Sequence, residues 1–131
     1  MLALGPLLPS LVRAAEALRR REIPSTGEML PVIGLGTSRT HDVALDDPEM
    51  TRLLEVLRVL LDGGASLIDT APSYGNAERV VGELVERHGQ RDKVFLASKV
   101  SSSGREHGMA QIEASFEALQ TDPIDLIDGI E

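Results

Sequence analysis

The stretch Ser66-Leu67-Ile68-Asp69-Thr70-Ala71-Pro72-Ser73-Tyr74-Gly75-Asn76-Ala77-Glu78, with Val94-Phe95-Leu96-Ala97-Ser98-Lys99 after it, decides the fold. A short apolar run ending on the carboxylate of Asp69 has the pattern of a buried strand. Asn76 then opens a helix whose Val80, Val81, Leu84 and Val85 recur at helical spacing, and Gly89 stops it. Val94 to Ser98 supplies the next strand. Strand, helix, strand is a right-handed crossover unit, which makes its two strands parallel and covers them with a helix.

The same alternation continues in both directions. On the N-terminal side, Asp47 caps a helix with Pro48 at its first position and Glu49 in its first turn. Leu53, Leu54, Leu57, Leu60 and Leu61 form its stripe, and Gly63-Gly64 ends it. Val32-Ile33-Gly34-Leu35 precedes it as a buried strand. Ile23-Pro24-Ser25-Thr26-Gly27-Glu28 carries turn chemistry between short apolar pieces and predicts a β-hairpin. On the C-terminal side the spacing predicts a helix over 109–120, with Ile112, Phe116 and Leu119 inward, then a strand at Ile124-Asp125-Leu126-Ile127. The fold class is therefore α/β, with about four parallel strands, three intervening helices and an N-terminal β-hairpin. Periodicity alone leaves an open sheet and a barrel both standing.

Composition narrows the function. A chain of 131 residues, 42% of them hydrophobic, suits one domain with a real core. The net charge of -8 is concentrated beyond residue 22, because residues 1–22 hold four arginines against two glutamates. An acidic body without a basic, aromatic-interleaved stripe repels phosphate backbones, so nucleic acid is not an expected partner. With no cysteine, disulfides, thiolate catalysis and cysteine-based zinc sites are excluded. His41, His88 and His107 stand apart among polar residues, which predicts solvated loop histidines and no metal site.

Residues 1–22 are expected to form a leader. Its apolar start, Met1 to Val12, is broken by Gly5, Pro6 and Pro9 and is too short to span a membrane. Arg19-Arg20-Arg21 follow the apolar run, whereas an export signal carries its basic residues first. Ala14-Ala15-Glu16-Ala17 nevertheless has the small residues of a cleavage site. A clipped export signal thus stands beside a disordered leader with a helical turn or two over 11–21.

Parallel sheets place their chemistry at the carboxyl ends of strands, which here means Gly36, Asp69 and Lys99. Gly34-Leu35-Gly36-Thr37-Ser38-Arg39 begins like a dinucleotide-binding glycine loop, but Arg39 stands at the third glycine and a long loop follows. Lys99 ends an apolar strand, where an ammonium is costly unless an anion meets it. Asp69, ending the preceding strand, is the natural partner, since adjacent strands lie about 5 Å apart. Tyr74 is the sole tyrosine in a chain with 2% aromatics. It is either a hydrogen-bonded loop residue or, with Lys99 beside it, a proton donor.

Leu35-Gly36-Thr37, Leu67-Ile68-Asp69-Thr70-Ala71 with Tyr74-Gly75-Asn76, and Phe95-Leu96-Ala97-Ser98-Lys99-Val100 together resemble the aldo-keto reductases, over about residues 23–127. The resemblance implies a TIM-type (β/α)8 barrel, truncated here because a whole one takes roughly 250 residues. Residues 23–131 would be a partial barrel domain. It further implies NAD(P)H-dependent reduction of aldehydes or ketones to alcohols, with a small carbonyl compound as substrate. In that family pattern Tyr74 is the general acid, Lys99 and Asp69 tune it, and Gly36, Thr37 and Asp69 lie at the nicotinamide of NADPH. A cytoplasmic location goes with this, or a periplasmic or exported one if the leader is a clipped signal.

Two departures matter. The family's fourth catalytic residue, a histidine after the fourth strand, is replaced by Asp128-Gly129-Ile130-Glu131, and loss of such a donor costs on the order of 10²–10³ in rate. Half a barrel also leaves strand edges free for self-association and lacks the part that holds the cofactor's adenosine phosphate. The alternative to an active reductase is a catalytically inactive fragment, or a non-enzymatic binding or regulatory module keeping half of the reductase fold.

Overall fold

A computed structural model of the chain describes residues 17–129. It opens with an antiparallel hairpin, β1 (Arg20–Glu22) and β2 (Met29–Pro31), closed by a turn with Gly27 at φ 76° and its N–H donating to the Ile23 carbonyl at 2.8 Å. The hairpin starts earlier than its turn residues suggest. Arg20 and Arg21, expected in the leader, are strand residues opposite Pro31 and Leu30, because backbone pairing with β2 outweighs their polar character. The export-signal question and residues 1–16 lie outside the described residues.

Four parallel strands follow in chain order: β3 (Gly34–Gly36), β4 (Leu67–Asp69), β5 (Phe95–Val100) and β6 (Leu126–Gly129). Between them run α1 (Glu49–Asp62), α2 (Ala77–His88) and α3 (Arg105–Leu119). α1 starts one residue later than expected, with Pro48 at its cap and Glu49 first, but Asp47 still serves it: its carboxylate accepts the Glu49 N–H at 2.8 Å, satisfying a donor that the first turn leaves free. Gly89, at φ 74°, ends α2 and donates to Val85 at 3.0 Å.

Several boundaries differ from the sequence expectations. The buried strand expected over 32–35 is instead β3 at Gly34–Gly36, with Val32 and Ile33 exposed before it, because only Gly34 to Gly36 pair with β4. β5 continues through Lys99 and Val100 because these pair with Asp128 and Gly129 of β6, which itself begins two residues late, at Leu126. The helix expected from Met109 begins at Arg105, after Gly104 turns the chain at φ 86°. Its first residues face solvent, so no apolar residue marks them. On its inward side Ser115 is buried with Leu119, while Ile112 and Phe116 are only half-buried.

Side chains alternate across a strand, and here the two sets differ in kind. Leu35, Ile68 and Leu96 face the helices and pack with Met50, Leu53 and Leu57 of α1, Val80, Val81 and Leu84 of α2, and Leu119 of α3. The other set, Gly34, Gly36, Leu67, Asp69, Phe95, Ala97 and Lys99, lines the opposite face. A methyl group at Gly34 would strike Leu67, its register partner. Gly82 lets α2 approach α3 closely, since a Cβ there would run into the Ala118 carbonyl and the Leu119 backbone. β3 and β6 are the two sheet edges, and Val32, Ile33 and Leu126 beside them are exposed.

Candidate active site

The carboxyl ends of β3, β4 and β5 bring together three of the expected residues. Gly36 is opposite Asp69 in the register, and Asp69 is opposite Ala97, two residues before Lys99 on the same face. Lys99 Nζ donates to Asp69 Oδ1 at 2.6 Å and to the Thr70 carbonyl at 3.0 Å. It also lies 5.1 Å from the centroid of the Tyr74 ring, within reach of a cation–π contact. The lysine side chain is 16% exposed and the aspartate 44%, so the ammonium is sheltered while its partner keeps one side open.

Electrostatics favour a charged Lys99. Burial pulls its ammonium down; the Asp69 hydrogen bond and charge, with a smaller contribution from Tyr74, outweigh this and hold the pKa above the ordinary lysine value of 10.5. A cation held charged at neutral pH beside a phenol is an arrangement that stabilises a developing phenolate.

Tyr74 sits where two tight turns meet. Its N–H donates to Ala71 O at 3.1 Å and its carbonyl accepts from Ala77 at 3.2 Å, after which α2 begins. Gly75, at φ 63°, takes the left-handed conformation that the junction needs. The loop is also tied from behind: Glu78, in the first turn of α2, accepts the Ser98 hydroxyl at 2.6 Å, next to Lys99, and both residues are buried. A glutamate at the helical phase of Val81 and Val85 was the signal for this buried link.

Of the residues expected at a cofactor, Gly36 is exposed, and nothing stands within 4 Å of where its Cβ would be. Thr37 is different. Its side chain is fully buried and its hydroxyl donates to the Asp69 carbonyl at 2.9 Å, with its N–H on the same oxygen at 3.1 Å. It therefore braces the end of β4 from within.

His41 corrects the expectation of solvated histidines. It is 2% exposed, because the turn closed by His41 N–H on Thr37 O at 3.1 Å tucks the ring under the loop. Its Nδ1 lies 2.9 Å from the Thr40 hydroxyl, Nε2 has no partner among the described residues, and burial pushes the imidazole below the ordinary histidine range. His107 is exposed, as expected, but stands in the first turn of α3 rather than in a loop, and His88 is half-buried as the last residue of α2. Among the described residues no three metal-binding side chains cluster, and no helix is long and apolar enough to cross a membrane.

A cleft of about 870 Å³ lies at the other end of the strands, bounded by Met29, Leu30, Ala65, Phe95 and Pro123. Asp69, Tyr74 and Lys99 do not line it. Size alone is a poor guide here, because the convergent polar groups are at the carboxyl ends.

Comparison with known proteins agrees with the geometry. The sequence model of the aldo/keto reductase family matches residues 32–128. The chain is 35% identical over 116 residues to aldo-keto reductase YhdN of Bacillus subtilis, covering 79% of this chain and 35% of that protein. It is 37% identical over 114 residues to methylglyoxal reductase YeaE of Escherichia coli, covering 83% and 38%. An aldo/keto reductase from Klebsiella pneumoniae, solved with NADP and acetate, superposes with a TM-score of 0.67 at 35% identity, covering 77% of this chain and 35% of that one. The chain thus spans about a third of the length of the curated relatives it matches. With its four parallel strands of TIM-barrel type, its hairpin and its strand-end constellation, it belongs to the aldo/keto reductase family.

Proposed function

We propose that the chain carries the proton-donating part of an NADPH-dependent carbonyl reductase, with Tyr74 as general acid and Lys99 and Asp69 as the pair that makes it one. The observation that carries this is the Lys99 ammonium held 2.6 Å from Asp69 and 5.1 Å from the Tyr74 ring centroid, at strand ends. Tyr74 gives its proton to the carbonyl oxygen of an aldehyde or ketone. The phenolate left behind is compensated by Lys99, which Asp69 keeps charged and aimed. Hydride for the carbonyl carbon is what a bound NADPH supplies. The residues present suit such a cofactor: Gly36 leaves its strand end bare, so a flat ring can meet the backbone there, and half-exposed Asp69 lies beside it while Thr37 braces them.

The test is a fluorescence titration of the protein with NADPH, with reduction of methylglyoxal, the compound in the name of the Escherichia coli relative, followed in parallel. Tyr74→Phe is expected to lower kcat by roughly 10²-fold or more while leaving NADPH affinity unchanged. Full activity in that variant, or no saturable NADPH binding by folded protein, would sink the proposal and leave a non-enzymatic module. Pairing of the β3 or β6 edges between two copies belongs to the same proposal. Elution as a 14.1 kDa monomer in gel filtration removes that part alone.

A further inference from the structure

We propose that Asp42 is a positioning residue for Tyr74, holding the Tyr74-Gly75-Asn76 turn in place from a loop more than thirty residues earlier in the chain. Its Oδ1 accepts the backbone N–H of Asn76 at 2.9 Å, two residues beyond the phenol and at the threshold of α2. The carboxylate also packs against Gly75, where any Cβ would land on it. So Asp42 fills the space that the left-handed glycine leaves open, and both residues following Tyr74 are fixed by one side chain. A carboxylate is well suited to this place, because it meets an unsatisfied donor and the positive end of the helix together.

Asp42 can act as an anchor because its own loop is anchored. Thr37 bonds the Asp69 carbonyl through both N–H and hydroxyl. The Thr40 hydroxyl reaches Thr37 O at 3.3 Å and His41 is buried under the turn. A continuous path therefore runs from the backbone of Asp69 through residues 37–42 to Asn76. Asp69 and Tyr74 are joined once through Lys99 on the side of the chemistry and again through Asp42 behind it. The inference rests on Tyr74 being the proton donor, but the placement of its ring can be read independently of activity.

That independence comes from composition, since Tyr74 is the only tyrosine and tryptophan is absent. The tyrosine band of the near-ultraviolet circular dichroism, which lies at longer wavelength than the bands of Phe95 and Phe116, and acrylamide quenching of tyrosine fluorescence therefore report on this ring alone. Asp42→Ala is expected to lower the tyrosine dichroism at least twofold, raise quenching, and reduce kcat about tenfold with KM for NADPH within twofold. Asp42→Asn keeps an acceptor oxygen and is expected to restore each to within twofold of the parent. An unchanged tyrosine signal in Asp42→Ala overturns the inference, as does failure of Asp42→Asn to rescue. Far-ultraviolet dichroism confirms that both variants are folded. If the parent protein reduces nothing, the reductase proposal fails while the dichroism still decides the role of Asp42.

Discussion

The two faces of the four-stranded sheet are built from neighbouring residues and do opposite things. Toward the helices, Leu35, Ile68 and Leu96 join one dense apolar core, and Leu96 is fully buried. Toward the open side, one residue away along the same strands, stand Gly36, Asp69 and Lys99, part-exposed and polar or bare. A strand's period of two lets stability and chemistry occupy the same few residues without sharing a side chain. Ser98 is the exception: it points to the helices yet carries a polar link to Glu78, so the α2 turn bearing Tyr74 is registered against the strand bearing Lys99.

If the faces are this separate, substitutions on each should have separable effects. The largest is expected on the helix face: Leu96→Ala should lower unfolding free energy by about 2–5 kcal/mol in urea denaturation, through lost burial and an unfilled cavity. A change below about 1 kcal/mol would mean that the core is loosely packed. Gly82→Ala tests the layer behind, where the added methyl meets backbone of α3, and should cost about 1–3 kcal/mol in the same measurement.

The smallest stability effect is expected on the open face. Asp69→Asn should change unfolding free energy at pH 7 by only about 1 kcal/mol, since the carboxylate is partly exposed to screening water. Its pH dependence gives the sharper comparison. Lys99 has its folded pKa raised, so its contribution is fully present below the unfolded value of 10.5 and is lost as pH rises through the folded value. Thermal melts of the parent should therefore fall above about pH 10.5. In Asp69→Asn that alkaline component should shrink, and an identical slope in both proteins would show that Asp69 does not hold the charge.

Features set by local pattern were legible in the sequence, and those set by distant loops were not. The Asp69–Lys99 pair follows from two strand ends in succession, and α1 and α2 from apolar spacing bounded by a cap and glycines. Asp42 gives no such signal: it is one polar residue in a polar loop, and its partner is a backbone N–H that only folding brings near. His41 looked solvated for the same reason, since nothing adjacent to it is apolar enough to announce burial. The early start of α3 was hidden because its first turn buries nothing, and the Gly82 crossing because a missing side chain leaves no trace in a hydrophobic stripe.

The order of the parallel strands is the order of the chain, and each helix packs beside the one before it. Among the described parallel strands each partner has been made by the time it is needed: β4 finds β3 already synthesised, and β5 finds β4. Loop-closure entropy is thus met in successive closures of about thirty residues rather than in one long search. On a ribosome, which delivers the N-terminus first, such a chain can add each strand-and-helix unit to a surface already formed behind it.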